Sequence, residues 1–310
     1  MVDISVVVAS HRPDYVTALV EAMGAAVWGE MACEVIVVAD YPVEEFARHY
    51  PSVRWLHHPD RGIAVKRNKG AYAAHGRYLA FIDDDCVPGR GWLVAAARFL
   101  ESNLDIAGVE GRTTIERSRR AEPYLREFKR LERRGYRTNN ICYRAEVFRE
   151  VGMFDERFTV QREDIDLAFT IIESGRTIGY NDTMVVTHRL RRHEKWDLLK
   201  NCVNRRFDPL LYRKHHTLYR QYIGTPFPPS FGVVMLLHGV TVALALAGEW
   251  WWVAAAFDAV VAGALMLRRT GIPSSFASAV REYISYVVAP LVVLGALVYG
   301  SIVHRTVVLW

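Results

Sequence analysis

Over roughly the first 190 residues, short unbroken apolar runs alternate with stretches of helical spacing. Residues 4–9, 34–39 and 53–56 are rich in β-branched side chains and too short for helices, so they are expected as strands buried on both faces of a parallel sheet. Residues 14–27 and 62–75 supply helices. Strand, helix, strand, helix is the order of a βαβ fold. Beyond it the pattern predicts strands at 78–82, 106–111, 138–144, 177–180 and 184–187, and helices at 91–100, 122–133, 145–151 and from 163 to a glycine stop at Gly175. Val87-Pro88, after the strand that opens at Tyr78, discourages further regular structure there.

After Phe231 the pattern changes: residues 232–248, 250–267 and 284–303 are nearly uninterrupted apolar stretches, each about the length that spans a hydrocarbon core. They predict three transmembrane helices and account for the excess in a chain that is 51% hydrophobic. The net charge of +5 is just as local, since residues 189–222 hold ten Lys/Arg against three Asp/Glu. That belt interleaves its cations with Trp196, Leu198, Leu199, Phe207, Leu210, Leu211 and Tyr219, which suits amphipathic helices lying on a bilayer. The positive-inside tendency then puts the belt and everything before it on the cytoplasmic side, with anionic or phosphorylated lipid as its partner and no nucleic acid. The expected divisions are 1–188 for an α/β domain, 189–231 for the interfacial segment and 232–310 for the membrane helices. Four scattered cysteines form no CxxC pair, which fits a reducing compartment. Residues 1–8 carry no basic region leading into a cleavable apolar segment, so insertion is expected to rest on the C-terminal helices.

Candidate chemistry gathers where the predicted strands end. The strand from Tyr78 runs into Asp83, Asp84 and Asp85, whose mutual repulsion calls for a positive partner; a hard divalent cation, Mn2+ or Mg2+, prefers such oxygen donors. Ser10, His11 and Arg12 close the first strand, Asp40 closes the second, and His188 ends the last before the basic belt. Ligands of open α/β sheets collect at these carboxyl ends. Neither GxGxxG after the first strand nor GxxxxGK[ST] is present, which disfavours a dinucleotide fold and a P-loop. Glu163, Asp164 and Asp166 open a predicted helix, where by themselves they simply suit its dipole.

Taken in order, Val6-Val-Val-Ala-Ser-His-Arg-Pro13, Asp40, Arg61-Gly-Ile-Ala-Val-Lys-Arg-Asn68, Phe81-Ile-Asp-Asp-Asp85, Val151-Gly-Met-Phe-Asp-Glu156 and Glu163-Asp-Ile-Asp-Leu167 resemble the family 2 glycosyltransferases of the GT-A fold. The chain also resembles a reduced cellulose-synthase-type enzyme, with Arg162 in place of the motif Thr and Lys195 in place of the motif Arg. The resemblance implies a GT-A catalytic domain, a Rossmann-like mixed sheet, holding a nucleotide-sugar donor with Ala9, Ser10, His11, Arg12, Asp40, Lys66, Arg67, Asp83 and Asp84. It implies Asp85 as the direct metal ligand, with Asp83 facing the ribose or the metal; His188, by its place at a strand end, is the candidate to complete the shell. Asp164 would be the general base, with Glu163 as its neighbour, in a single inverting displacement, and Arg192, Lys195 and Trp196 would hold acceptor or diphosphate. The expected reaction moves one sugar, mannose from GDP-mannose, to a lipid-linked polyprenyl or dolichyl acceptor. The alternatives are a small processive polysaccharide synthase using a UDP-sugar and a catalytically silent, membrane-tethered sugar-nucleotide binder.

Overall fold

The computed structural model describes residues 2–26, 28–60, 62–116, 125–190 and 194–308. In chain order these form β1 (Ile4–Ser10), α1 (Pro13–Gly24), β2 (Cys33–Ala39), α2 (Glu44–His49), β3 (Val53–His57), α3 (Ile63–Ala73), β4 (Tyr78–Phe81), β5 (Cys86–Pro88), α4 (Trp92–Ser102) and β6 (Ile106–Ile115). There follow α5 (Leu125–Phe128), β7 (Ile141–Arg144), α6 (Ala145–Glu150), α7 (Glu163–Glu173) and β8 (Thr177–His188). The remainder is helical: α8 (Asp197–Val203), α9 (Asp208–Lys214), α10 (His216–Leu218), α11 (Pro229–Leu246), α12 (Trp251–Thr270) and α13 (Phe276–Val303). The chain divides into two compact units, the described residues of the first being 2–26, 28–60, 62–116 and 129–190, and those of the second 125–128 and 194–308.

The first unit is built on one eight-stranded sheet in the order β3-β2-β1-β4-β7-β6-β8-β5. Because side chains alternate across a strand, the apolar run of β1 feeds two cores. Ile4, Val6 and Val8 pack on one face with Val16, Leu19 and Leu93 from α1 and α4. Val7 faces the other side with Phe81, Phe148, Leu167 and Ile171, under α3, α6 and α7. Strands β1, β2, β3 and β4 are parallel, β7 runs antiparallel to both β4 and β6, and β8 is parallel to β6. The ends of β1, β2, β4, β6 and β8 and the start of β7 therefore meet along one edge of the sheet. Ser10, Asp40, Asp83 to Asp85 and His188 all lie at or just beyond those ends.

Three local expectations are corrected. Cys86–Pro88 is a strand after all, antiparallel to β8 at the sheet margin, where a proline lacking its N–H costs no ladder bond. Residues 177–188 are one strand in place of two, with a register shift against β6 between Gly111 and Arg112. Asn140 holds that irregularity by donating to the carbonyls of Arg112 and Met184, at 3.1 and 3.0 Å. The described part of the helix expected at 122–133 is α5 followed by a 3-10 turn, Lys129–Glu132, and 122–124 lies outside the described residues. The six-residue α2 has no fully buried residue and so no periodic stripe to read.

α3 lies against the sheet through Gly70, where an added Cβ would stand 2.4 Å from Val7 Cγ1 and 3.3 Å from Val38 Cγ2. Gly70→Ala gains up to about 1 kcal/mol of helix propensity, but overpacking of this kind costs roughly 1–3 kcal/mol. The expected net result is a thermal midpoint lowered by a few degrees, read by scanning fluorimetry in detergent. An unchanged or higher midpoint would show that α3 shifts freely on the sheet.

In the second unit, α11, α12 and α13 have lengths of 18, 20 and 28 residues and contain 18-residue windows of mean hydropathy 1.8, 1.4 and 2.2, long and apolar enough to cross a membrane. Leu236, Val242, Leu246 and the run Trp250, Trp251, Trp252 are exposed, as lipid-facing and interfacial residues would be. The basic belt is only partly free to lie on lipid. Its Leu198 and Cys202 are buried with Phe231, Tyr286, Val293 and Leu297, and a Cβ at Gly300 of α13 would come within 2.2 Å of the Arg206 carbonyl.

Candidate active site

The three adjacent aspartates at the end of β4 point to three different partners. Asp85 is set by the β5–β8 pairing, which puts Cys86 opposite His188 and lets the Arg189 amide donate to the Asp85 carbonyl at 2.8 Å. Its Oδ1 lies 3.2 Å from His188 Nε2, and both side chains are buried. His188 Nδ1 is 2.8 Å from the Arg189 carbonyl, which can only accept, so Nδ1 carries a proton and donates it there. In a neutral imidazole, Nε2 then presents a lone pair to a carboxylate oxygen, and only a cation or a proton makes that contact favourable. Two ligands at right angles, each about 2.1 Å from a hard divalent ion, stand about 3.0 Å apart. The pair therefore fits an ion such as Mn2+ or Mg2+, with a backbone carbonyl orienting the histidine as in known metal sites. Cys86 Sγ also lies close. Burial pushes its thiol well above the ordinary range, with the three aspartates adding to the effect, and a hard ion prefers the carboxylate oxygen to the soft sulfur.

Asp84 turns inward, where it is buried and binds the loop after β1. Its Oδ2 accepts from Ser10 Oγ at 2.9 Å, from the His11 amide at 3.0 Å and from the Arg12 amide at 3.2 Å. Ser10 Oγ is in turn 2.7 Å from the Tyr41 hydroxyl, whose pKa burial pushes up to about 12. Next to this loop Asp40 Oδ2 takes His11 Nδ1 at 2.8 Å and Lys66 Nζ at 3.2 Å, while Lys66 Nζ also donates to the Ser10 carbonyl at 2.8 Å. Burial would raise the Asp40 carboxyl, but the His11 hydrogen bond and the Lys66 charge outweigh it and hold it below its usual value. Lys66 is itself lowered, first by burial, with Asp40 opposing. The result is a fixed polar rim around the end of β1.

Asp83 faces the other way. Arg67 is fully buried and donates from Nη2 to Asp83 Oδ1 at 2.7 Å and from Nη1 to Glu163 Oε1 at 2.6 Å. Arg162, at φ 81 just before α7, turns the chain so that Glu163 and Asp164 open the helix. The segment before it is pinned by Asn68, which bonds Phe154 through both backbone groups and Glu156 through its side chain. Burial raises both the Glu163 and Asp164 carboxyls, in Glu163 with the Asp164 charge adding to it, while Arg67 opposes the shift in each. Asp164 is half-buried, and its Oδ1 accepts from the Ile165 amide at 2.8 Å. Glu163 Oε2 is buried without a hydrogen-bond partner among the described residues.

The sheet edge thus brings together Ser10, His11, Arg12, Asp40, Lys66, Arg67, the three aspartates, Glu163, Asp164 and His188; Ala9 is the partly buried residue of β1 before Ser10. Asp83 is turned to Arg67, while Asp85, Cys86 and His188 lie close enough together that they could hold a metal ion. Neither Lys66 nor Arg67 is a helix-surface cation, since both side chains are 2% exposed. Lys195 and Trp196 belong to the second unit, where Trp196 is 42% exposed, and Arg192 lies outside the described residues. Two participants have no signal in the sequence reading. Tyr41 follows Asp40 directly but has no motif of its own. Tyr15 carries the Arg12 and Arg189 guanidiniums at 5.8 and 5.4 Å from its ring centroid.

A mixed sheet with helices on both faces, with an acidic and histidine-bearing edge of this kind, defines a GT-A-like glycosyltransferase domain. The fold is shared with a mannosyltransferase from Pyrobaculum calidifontis solved with GDP-Man and Mn2+, at TM-score 0.61 and 16% identity over 96% of this chain and 86% of that one. GalNAc-T7, solved with UDP, GalNAc and Mn2+, aligns at TM-score 0.51 and 14% identity over 68% of this chain and 50% of that one. Residues 5–158 match Glycosyl transferase family 2, and the first unit is a domain of that family. Similar curated proteins include a pre-mycofactocin glycosyltransferase of Mycobacterium tuberculosis, 30% identical over 50% of this chain and 37% of that protein. Another is a glucosyl-dolichyl phosphate glucuronosyltransferase of Haloferax volcanii, 28% identical over 51% of this chain and 59% of that protein. The chain thus matches less than two thirds of the length of either relative.

Proposed function

We propose that the protein is a membrane-bound, metal-dependent, inverting glycosyltransferase that moves a single sugar from a nucleotide donor, GDP-mannose, to a lipid-linked acceptor on the cytoplasmic face. The observation that carries this reading is the division of labour along the sheet edge: an Asp85–His188 pair that fits a divalent ion, in the same unit as a half-buried Asp164 with a raised pKa. A Haloferax volcanii relative named for a dolichyl phosphate substrate supports the lipid acceptor, and the Pyrobaculum calidifontis structure with GDP-Man supports the donor. The three apolar helices and the basic belt support membrane attachment with the catalytic unit in the cytoplasm.

A divalent ion held by Asp85 and His188 would neutralise the diphosphate as the glycosidic bond breaks. The chain's own residues do the rest. The loop 9–12, fixed by Asp84, and the Asp40–Lys66–His11 cluster hold the nucleoside. Asp164 takes the proton of the acceptor hydroxyl as its oxygen attacks the anomeric carbon. The family resemblance, whose pattern holds one base and no second nucleophile, supports a single displacement with inversion. Lys195, Trp196 and Arg192 are the proposed acceptor side.

The decisive experiment incubates detergent-solubilised protein with GDP-mannose or UDP-glucose, polyprenyl phosphate and Mn2+ or EDTA. One added mannose, only with metal, is expected; polymer from the UDP-sugar would favour the processive alternative, and no nucleotide release with either donor would favour the silent binder. Within this reading Asp84→Ala removes three hydrogen bonds from the donor loop. The expected effect is a donor KM raised by tenfold or more, from the loss of roughly 1.5–3 kcal/mol per charge-assisted bond, with kcat moving less. Equal losses in both constants would count against a role confined to the donor loop.

A further inference from the structure

We propose that Arg67 is a positioning residue that ties the donor-side carboxylate Asp83 to the acceptor-side pair Glu163–Asp164, so that the base is held in register with the donor. The inference rests on the glycosyltransferase reading above and changes the role expected of this arginine. Instead of reaching the nucleotide, its two Nη atoms are committed to carboxylates from two different parts of the chain, 2.7 Å to Asp83 and 2.6 Å to Glu163. The side chain is 2% exposed and its guanidinium lies 5.8 Å from the centroid of the Phe154 ring, in the loop that Asn68 pins. α3 carries Arg67 and Asn68, β4 leads into Asp83, and α7 begins at Glu163. One rigid, two-pronged cation therefore joins three elements that are far apart in sequence.

The electrostatics point the same way. Burial and mutual repulsion raise Glu163, burial raises Asp164, and Arg67 is the chief positive charge opposing both. Without a fixed cation here, the buried Glu163 and half-buried Asp164 carboxyls would favour sharing a proton, which disables a base. Lysine cannot replace this arrangement, because a single ammonium lacks the planar fork that reaches two carboxylates at once. Glu163 acts on this view through Arg67. Its second oxygen, Oε2, has no hydrogen-bond partner among the described residues and adds nothing to hold the base.

The test compares wild type, Arg67→Lys, Glu163→Gln and the double variant by steady-state kinetics, with thermal midpoints and calorimetric nucleotide binding as controls for folding and donor site. The expected result for Arg67→Lys is a kcat lowered about a hundredfold, a donor KM and nucleotide Kd within about threefold of wild type, and a shallower, upward-shifted acid limb in the pH–kcat profile. In the Arg67→Lys background Glu163→Gln should change kcat by less than about threefold, because the path it acts through is already cut. A near-normal kcat in Arg67→Lys, or losses that multiply in the double variant, overturns the inference. Should Arg67→Lys fail to fold, Glu163→Gln alone decides: a kcat-only loss supports the strut, and a loss confined to donor KM sinks it. Absence of transfer by the wild type would instead defeat the functional reading while leaving its nucleotide binding measurable.

Discussion

Asp164→Asn is expected to bind donor normally and to transfer sugar about 10²–10⁴ times more slowly, the range over which a positioned general base contributes. The amide is nearly isosteric and can still accept the Ile165 N–H bond, made at 2.8 Å by Oδ1, so the start of α7 should survive. What is lost is the capacity to accept a proton. The pH profile of the wild type gives a second, independent check. A base works only when ionised, and burial raises Asp164 and its neighbour Glu163 above ordinary carboxylates. Activity should therefore fall as pH drops through a value above the usual carboxylate range, while nucleotide binding stays constant through that window. An acid limb at an ordinary carboxylate pKa, or near-normal turnover by Asp164→Asn, would remove this residue as the base.

The sequence shows the alternation of the first unit because continuous apolar runs, buried on both faces, have no other use in a chain of this kind; β1, β2 and β4 are such runs. It shows the three aspartates as a group for the same reason, since like charges at the end of a buried strand need an explanation. It does not show that they separate. Asp83, Asp84 and Asp85 acquire different partners only because α3 brings Arg67 alongside, β1 ends in donors for Asp84, and β8 pairs with a three-residue strand that Pro88 hides from any propensity rule. Edge strands of this length are fixed by their partner and carry little signal of their own. The belt illustrates a different limit: amphipathic spacing predicts an apolar face, but a long apolar helix and a bilayer can both cover it, and α13 covers part of it here.

Asp85→Ala is the second substitution with a large expected effect, and it tests the ion through a residue whose alternative roles are few. Its carboxylate sits 3.2 Å from His188 Nε2 and its Oδ2 is 3.7 Å from Arg12 Nη1, so it stands between the histidine and the donor loop. A Lewis acid on a leaving diphosphate is worth several kcal/mol, and about 1.4 kcal/mol is a tenfold change in rate. Removing the carboxylate ligand should accordingly lower kcat by about 10²–10³. His188→Gln keeps a hydrogen-bonding side chain and removes the imidazole nitrogen, so a weaker loss is expected, with the Mn2+ concentration for half-maximal activity raised roughly 10- to 100-fold, as when the support of a metal site is cut. The two effects distinguish this pair from a mere internal ion pair. A histidine and an aspartate that only stabilise each other would lower the thermal midpoint of both variants without changing the response to Mn2+. The measurement is a Mn2+ titration of activity after EDTA treatment, with thermal unfolding in the presence and absence of Mn2+ alongside. Wild type should gain stability from the ion and Asp85→Ala should not; an equal gain in both would place the ion elsewhere in the cleft.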